Sequence, residues 1–242
     1  MEKVMKNVLI NGGSRGIGRA MVELFSERGY SVAFTYRSSD AEAGELSALT
    51  GALAIKADSS CEEDVLRAVD TVEERLGTVD ILINNAAISS FSLFTDISYE
   101  DWRKMFAVNL DGAFLYSKRT LPGMISKKRG RIINVSSMWG ITGSSCEVHY
   151  SATKAALIGM TKALAKEVGP SGITVNCIAP GVIDTEMNAR LSAEDIAALT
   201  DETPLMRVGT PREVAQAALF LAGDGAAFIT GEVLNVNGGF VI

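Results

Sequence analysis

Short apolar or β-branched runs alternate along this chain with longer segments of helical period, and few folds accommodate that rhythm. The runs lie at 7–11, 31–36, 52–57, 79–84, 131–136, 174–178 and 232–236, and helical spacing fills 17–27, 39–49, 61–76, 99–125, 150–168 and 211–221. Runs such as Val79-Asp80-Ile81-Leu82-Ile83 are nearly continuous in apolar residues, which suits strands covered by helices on both faces. The expectation is an α/β protein: a doubly wound sheet of seven parallel strands, with ligands beyond the carboxyl ends of the strands. No Pro-rich, Gly/Ser-rich or highly charged stretch divides the 242 residues, so one domain over 1–242 is expected. The least regular stretch, about 181–209, contains an amphipathic piece near 193–199 and reads as a substrate loop.

Charge narrows the partners. A net charge of -6 opposes a broad nucleic-acid face, which needs clustered cations. The one dense basic run, Lys127-Lys128-Arg129-Gly130-Arg131, reads either as a solvated helix end or as a docking patch for an acidic partner. Cys61, Cys146 and Cys177 have neither the even count of a disulfide framework nor the close spacing of a zinc site. The charged lead from Met1 to Asn7 enters a strand directly, and no apolar run approaches the roughly 18 residues of a membrane span. A cytoplasmic protein without a membrane segment or a metal is expected.

After the first strand comes Gly12-Gly13-Ser14-Arg15-Gly16-Ile17-Gly18, followed by a helical pattern. Glycines let the backbone turn sharply and approach a pyrophosphate, which the amides and dipole of a helix start then hold. The strand before and the helix after supply the context that a glycine turn alone lacks. This is a Rossmann-type arrangement. At the end of the second strand an acidic residue would accept bonds from a ribose 2′-hydroxyl, but Tyr36, Arg37 and Ser38 stand there instead. Arg37, with Arg15 from the glycine loop, suits a 2′-phosphate and favours NADPH/NADP over NADH. Asp58, after the third strand, either bonds an adenine amino group or caps the helix beginning near Cys61.

Tyr150 and Lys154 are four apart in a helical pattern and so share one face. Bringing a phenol of pKa near 10 to neutrality takes about 4 kcal/mol, and a cation at about 4 Å supplies a similar amount at an effective dielectric of 20. Spacing alone favours an incidental surface pair over a catalytic one. Ser137 lies thirteen residues before Tyr150 at the end of the fifth strand, and Asn109 sits inside a helical pattern that does not favour amides.

With Asn84-Asn85-Ala86, Pro180-Gly181 and Asn237-Gly238-Gly239, these motifs resemble those of the short-chain dehydrogenase/reductase family over nearly the whole chain. The resemblance implies that Tyr150 exchanges the hydroxyl proton, Ser137 holds the substrate oxygen, Lys154 bonds the nicotinamide ribose and Asn109 holds a relaying water. It puts Gly12, Ser14, Arg15, Gly16, Ile17, Gly18, Tyr36, Arg37, Ser38, Asp58, Asn85, Ala86, Tyr150, Lys154, Pro180, Gly181, Ile183 and Thr185 around the cofactor. Two departures stand out: Asn11 where the family commonly has Thr, and Ala87 where it usually has Gly. Ser136 should point away from substrate by strand alternation, and His149 should lie about 100° around the helix from Tyr150, in a structural role. Met138, Trp139, Cys146 and Glu147 are candidates for the substrate side.

The resemblance is closest to bacterial 3-oxoacyl-[acyl-carrier-protein] reductases. It implies reduction of a 3-oxoacyl substrate, possibly on acyl carrier protein, by a homotetramer built on helices 99–125 and 150–168. Ser171 replaces an arginine expected to contact the carrier. Residues 137–140 and 145–148 also resemble a bacterial group that reduces an aminopentanone modification on elongation factor P, where Glu147 would face a cationic substrate. A non-catalytic dinucleotide-sensing regulator is the competing class, although none of the four polar groups is missing.

Overall fold

A computed structural model describes residues 6–189 and 191–242; the lead 1–5 lies outside the described residues. Seven parallel strands form one sheet: β1 (Asn7–Asn11), β2 (Ser31–Tyr36), β3 (Leu53–Lys56), β4 (Ile81–Asn84), β5 (Gly130–Val135), β6 (Ile173–Pro180) and β7 (Val233–Val236). Their order is β3-β2-β1-β4-β5-β6-β7, so the winding reverses between β1 and β4 and leaves a crevice at their carboxyl ends.

The helices are α1 (Gly16–Glu27), α2 (Asp40–Thr50), α3 (Glu62–Leu76), α4 (Tyr99–Phe106), α5 (Gly112–Lys127), α6 (Trp139–Thr142), α7 (Val148–Val168), α8 (Ala193–Asp201) and α9 (Pro211–Ala222). Alternation along each strand feeds two cores. Val8, Ile10, Ile81, Ile83 and Ile133 face α1 and α9 through Met21, Phe25, Val214 and Leu221. Leu9, Leu82, Ile132 and Val175 face α3, α5 and α7 through Val69, Tyr116, Met124 and Ala165. Among the described residues no helix is long and apolar enough to cross a membrane.

Two expectations are corrected. The helix read as 99–125 is broken by a π turn, Ala107–Asp111, in which the Gly112 amide reaches back five residues to the Ala107 carbonyl. Its residues have ordinary helical character, so composition conceals the extra residue. Ser137 lies two residues beyond β5, in the lead into α6, a turn the sequence reading omitted. The stretch 181–209, called the lid from its place over the carboxyl ends of the strands, has a single turn at Glu186–Asn188 and then α8, with a Ser192/Asp195 capping box, where the amphipathic piece was expected.

On the α5/α7 face, three asparagines stand in register at the carboxyl ends of adjacent strands: Asn11 opposite Asn84, and Asn84 opposite Asn134. All are buried, and a buried amide is tolerated only when bonded. Asn11 Nδ2 donates to Asn84 Oδ1 at 2.8 Å, Asn84 Nδ2 to Asn134 Oδ1 at 2.8 Å, and Asn134 Nδ2 to Thr161 Oγ1 on α7 at 2.8 Å. The ladder ties the sheet at its point of reversal to the helix that carries Tyr150 and Lys154.

Candidate active site

A cleft of about 970 Å³ opens over the carboxyl ends of the strands and is covered in part by the lid. Every residue expected around the cofactor lines it, as do Ser137, Tyr150 and Lys154. Asn109 does not. It is 1% exposed, its Oδ1 accepts from the Ile88 amide at 2.8 Å, and its Nδ2 donates to the Ile88 carbonyl at 2.9 Å and to Thr153 Oγ1 at 3.2 Å. The side chain thus clamps the segment after β4 rather than facing the cleft, and the π turn is what carries it there.

At the cofactor end, close approach explains the glycines. Gly12 and Gly16 have φ of 67° and 51°, in the left-handed region, and a Cβ on Gly18 would overlap the Gly12 carbonyl. Asn11 performs the bonding across the turn: its Oδ1 accepts from the Asn85 and Ala86 amides, both at 2.7 Å. Asn85 Nδ2 in turn donates to the Gly12 carbonyl at 2.9 Å. Helix α1 begins here with no side-chain cap and no acidic residue in its first turn, whereas α2, α3, α4, α8 and α9 each begin with acids. An uncapped, unneutralised helix start directed at a cleft fits a pyrophosphate.

Arg15 and Arg37 are exposed at this end, and neither forms an ion pair among the described residues. Asp58 Oδ1 accepts from the Ser60 amide at 2.9 Å and Ser60 Oγ at 2.7 Å, forming a turn ahead of α3, while the helix cap itself falls on Cys61. Near the middle of the cleft, the Ile183 carbonyl already accepts from Asn188 Nδ2 at 2.8 Å and Thr185 Oγ1 at 3.4 Å, so this pair is internally engaged.

At the reacting end, Lys154 is 2% exposed; its Nζ donates to the Val135 carbonyl at 2.8 Å and lies 5.6 Å from the Tyr150 ring centre. Burial pulls the Lys154 ammonium down to about 8, against a weaker opposing influence of Cys177. Burial likewise pushes the Cys177 thiol up to about 11. Ser136 Oγ turns away to the Lys154 carbonyl at 2.7 Å, as alternation required. Ser137 Oγ accepts from the Trp139 amide at 3.1 Å.

His149 is buried, with Nε2 2.7 Å from Ser90 Oγ, and burial lowers its pKa. Met138, Trp139 and Glu147 line the cleft; Cys146 does not. The basic run sits at the amino end of β5, opposite the cleft, where Lys127 and Arg129 reach the buried Asp80 at 3.2 and 3.7 Å. Sequence reasoning missed Asn134, Thr161 and Thr153. The faint signal was asparagine inside an apolar strand, which strands disfavour.

The family model described as enoyl-(acyl carrier protein) reductase matches residues 12–241. The 3-oxoacyl-[acyl-carrier-protein] reductase FabG of Aquifex aeolicus is 42% identical over 236 residues, covering 96% of this chain and 95% of its own. A crystal structure of 3-oxoacyl-[acyl-carrier protein] reductase from Brucella melitensis superposes with a TM-score of 0.91 at 38% identity, over 98% of this chain and 92% of the other. A Serratia marcescens short-chain dehydrogenase/reductase, solved as a double phenylalanine-to-leucine mutant, gives 0.90 at 34% identity, over 97% of each chain. Matches of this extent, on a cleft that gathers the dinucleotide turn with Ser137, Tyr150 and Lys154, establish that the chain belongs to the short-chain dehydrogenase/reductase family of oxidoreductases.

Proposed function

We propose that this protein reduces a 3-oxoacyl thioester to its 3-hydroxyacyl form with NADPH. The observation that carries the reading is one continuous cleft lined by Ser137, Tyr150 and Lys154 and, at its other end, by Arg15 and Arg37, which form no ion pair among the described residues. When bound, the dinucleotide supplies the hydride. Tyr150 delivers the proton to the carbonyl oxygen, and Ser137 donates a hydrogen bond to the same atom. Lys154, held by Val135, lowers the cost of the phenolate left on Tyr150, and its own pKa of about 8 lets it return a proton near neutrality. Asn109 is a positioning residue that fixes the Ile88 backbone at the cleft wall. Arg15 and Arg37 hold the 2′-phosphate.

Glu147 supports a second reading. This carboxylate lines the cleft wall, where a ketone bearing an amine, such as the aminopentanone group on elongation factor P, would meet an acidic group. NADPH oxidation is to be followed in parallel with acetoacetyl thioesters on carrier protein and coenzyme A, and with the modified elongation factor. Turnover of the thioesters is expected; turnover of the elongation factor alone would select the second reading, and dinucleotide binding without turnover on either would indicate a sensor.

NADPH should be preferred over NADH at least tenfold, about 1.4 kcal/mol, and Arg37→Ala should erase most of that ratio. Tyr150→Phe should keep the fold and dinucleotide binding but lower kcat about a thousandfold, as expected for loss of a general acid. Exposed Phe114 on α5 and exposed Ala155, Gly159 and Ala163 at four-residue spacing on α7 support assembly as a homotetramer. Light scattering at micromolar concentration should then give four times the chain mass.

A further inference from the structure

The chain closes in a tight turn after β7. Asn237 Oδ1 accepts from the Gly239 amide at 3.0 Å, Asn237 Nδ2 donates to the Val241 carbonyl at 3.2 Å, and the Phe240 amide reaches the Asn237 carbonyl at 3.2 Å. Gly238 and Gly239 have φ of 67° and 88°, a conformation that suits only glycine without strain.

This turn touches the lid at both of its ends. A Cβ on Gly181, where the lid begins, would stand 2.8 Å from Asn237 Cα, and one on Gly238 would stand 2.6 Å from Thr203 Cγ2, where α8 has just ended. The Leu205 amide donates to the Gly238 carbonyl at 3.1 Å. The next side chain, Phe240, meets Trp139 edge to face, with ring centres 5.5 Å apart at 90°. Trp139 is the residue whose amide donates to Ser137 Oγ.

That last bond bears on the chemistry. A serine hydroxyl has one hydrogen and rotates to suit its partners. With a lone pair engaged by the Trp139 amide, the Ser137 hydrogen is left for the cleft; released from Trp139, the hydroxyl is free to turn it onto nearby backbone carbonyls instead. We propose that Phe240, acting through Trp139, is a positioning residue that keeps Ser137 a hydrogen-bond donor toward the substrate oxygen. The turn that carries Phe240 is itself packed against Gly181 and Thr203. The proposal rests on the reductase reading for its catalytic consequence, but not for the contact itself.

The test uses the full-length protein as Phe240→Ala and Phe240→Tyr, each also combined with Ser137→Ala. With NADPH and ketone saturating, Phe240→Ala should lower kcat about tenfold, within the roughly hundredfold that a 1 Å misplacement costs. NADPH affinity should stay within twofold, on the order of 0.4 kcal/mol. Phe240→Tyr, which keeps the ring, should restore most of the loss. In the Ser137→Ala background the same change should have less than about a twofold effect, an outcome that a general loosening of the fold would not give. Hydrogen exchange read without any ketone separates this idea from the reductase reading: Phe240→Ala should speed exchange of the Trp139 amide about tenfold while the Asn85 and Ala86 amides stay protected. Unchanged Trp139 exchange, or an equal kcat loss with and without the Ser137 hydroxyl, would overturn the proposal. Absence of turnover by the parent protein would overturn the reductase reading alone, with the exchange result still deciding the contact.

Discussion

The asparagine ladder and the lid flank the same cleft and are built on opposite principles. The ladder places three amides in register inside the fold, buries each of them and gives each a side-chain partner within 2.8 Å. The lid has no buried residue in its turn at Glu186–Asn188 or in α8, leaves Met187, Ile196, Leu205 and Met206 exposed, and is held by a capping box and by contacts of its ends with the turn at Asn237. Each follows from its task. A surface that receives a pyrophosphate and aims a proton donor gains from being fixed in advance, because preorganised groups need no rearrangement during the reaction. On the proposed function, a cover over the substrate must open at low cost, and such covers come from the low-stability end of a structure.

Substitutions should separate the two regions sharply. The largest effect is expected from Asn84→Ala, which leaves Asn11 and Asn134 without their central partner. Global stability should fall by about 3 kcal/mol, read as a lower urea midpoint at unchanged slope; a loss under about 1 kcal/mol would show that the ladder is not the rigid part of the comparison. Lys154→Met should act in the opposite direction. The fall from 10.5 to about 8 in this fully buried group, at about 1.4 kcal/mol per pH unit, means that holding the ammonium costs roughly 3 kcal/mol.

That cost is fully present below pH 8, where folded and unfolded chains both carry the proton. It is relieved between pH 8 and 10.5, where the unfolded chain binds more protons than the folded one. Stability without dinucleotide should therefore rise over that window in the parent protein and stay flatter in Lys154→Met, which should be more stable at neutral pH yet inactive. Urea melts at several pH values check this. The smallest effect is expected from Asp195→Ala in the lid: the cap is worth about 1 kcal/mol locally, but α8 amides alone should exchange faster and the global midpoint should stay within about 0.5 kcal/mol.

The seven strands, their parallel sense and the residues at the two ends of the cleft were legible because they follow from local patterns, whereas the order of the strands was not. Apolar runs such as Ile81-Leu82-Ile83 mark covered strands, Gly12, Gly16 and Gly18 mark a backbone that must turn closely, and Tyr150 and Lys154 share a face through helical spacing alone. Asn134 was not legible, because its meaning depends on which strands become neighbours, and Asn11, Asn84 and Asn134 are far apart in sequence. Asn109 was legible as an important amide but not as a clamp on Ile88, since nothing in Ala107-Val108-Asn109-Leu110-Asp111 distinguishes a π turn from an α-helix. The contact between Phe240 and Trp139 likewise joins segments that only the folded chain brings together.

The π turn also sets how this region can change by insertion and deletion. A π turn takes up one residue more than an α turn over nearly the same rotation, so the helix beyond it keeps phase with the helix before it. Removing one of 107–111 would therefore restore an uninterrupted helix with Tyr116 still facing Thr35 and Arg119 still facing Asp70 and Glu73 on α3, but would withdraw Asn109 from Ile88. One residue removed anywhere else between Tyr99 and Tyr116 would instead turn the far half by about 100°. The π turn is thus the one place in this segment where a residue can be lost without disturbing what lies beyond it, at the expense of the clamp on the cleft wall.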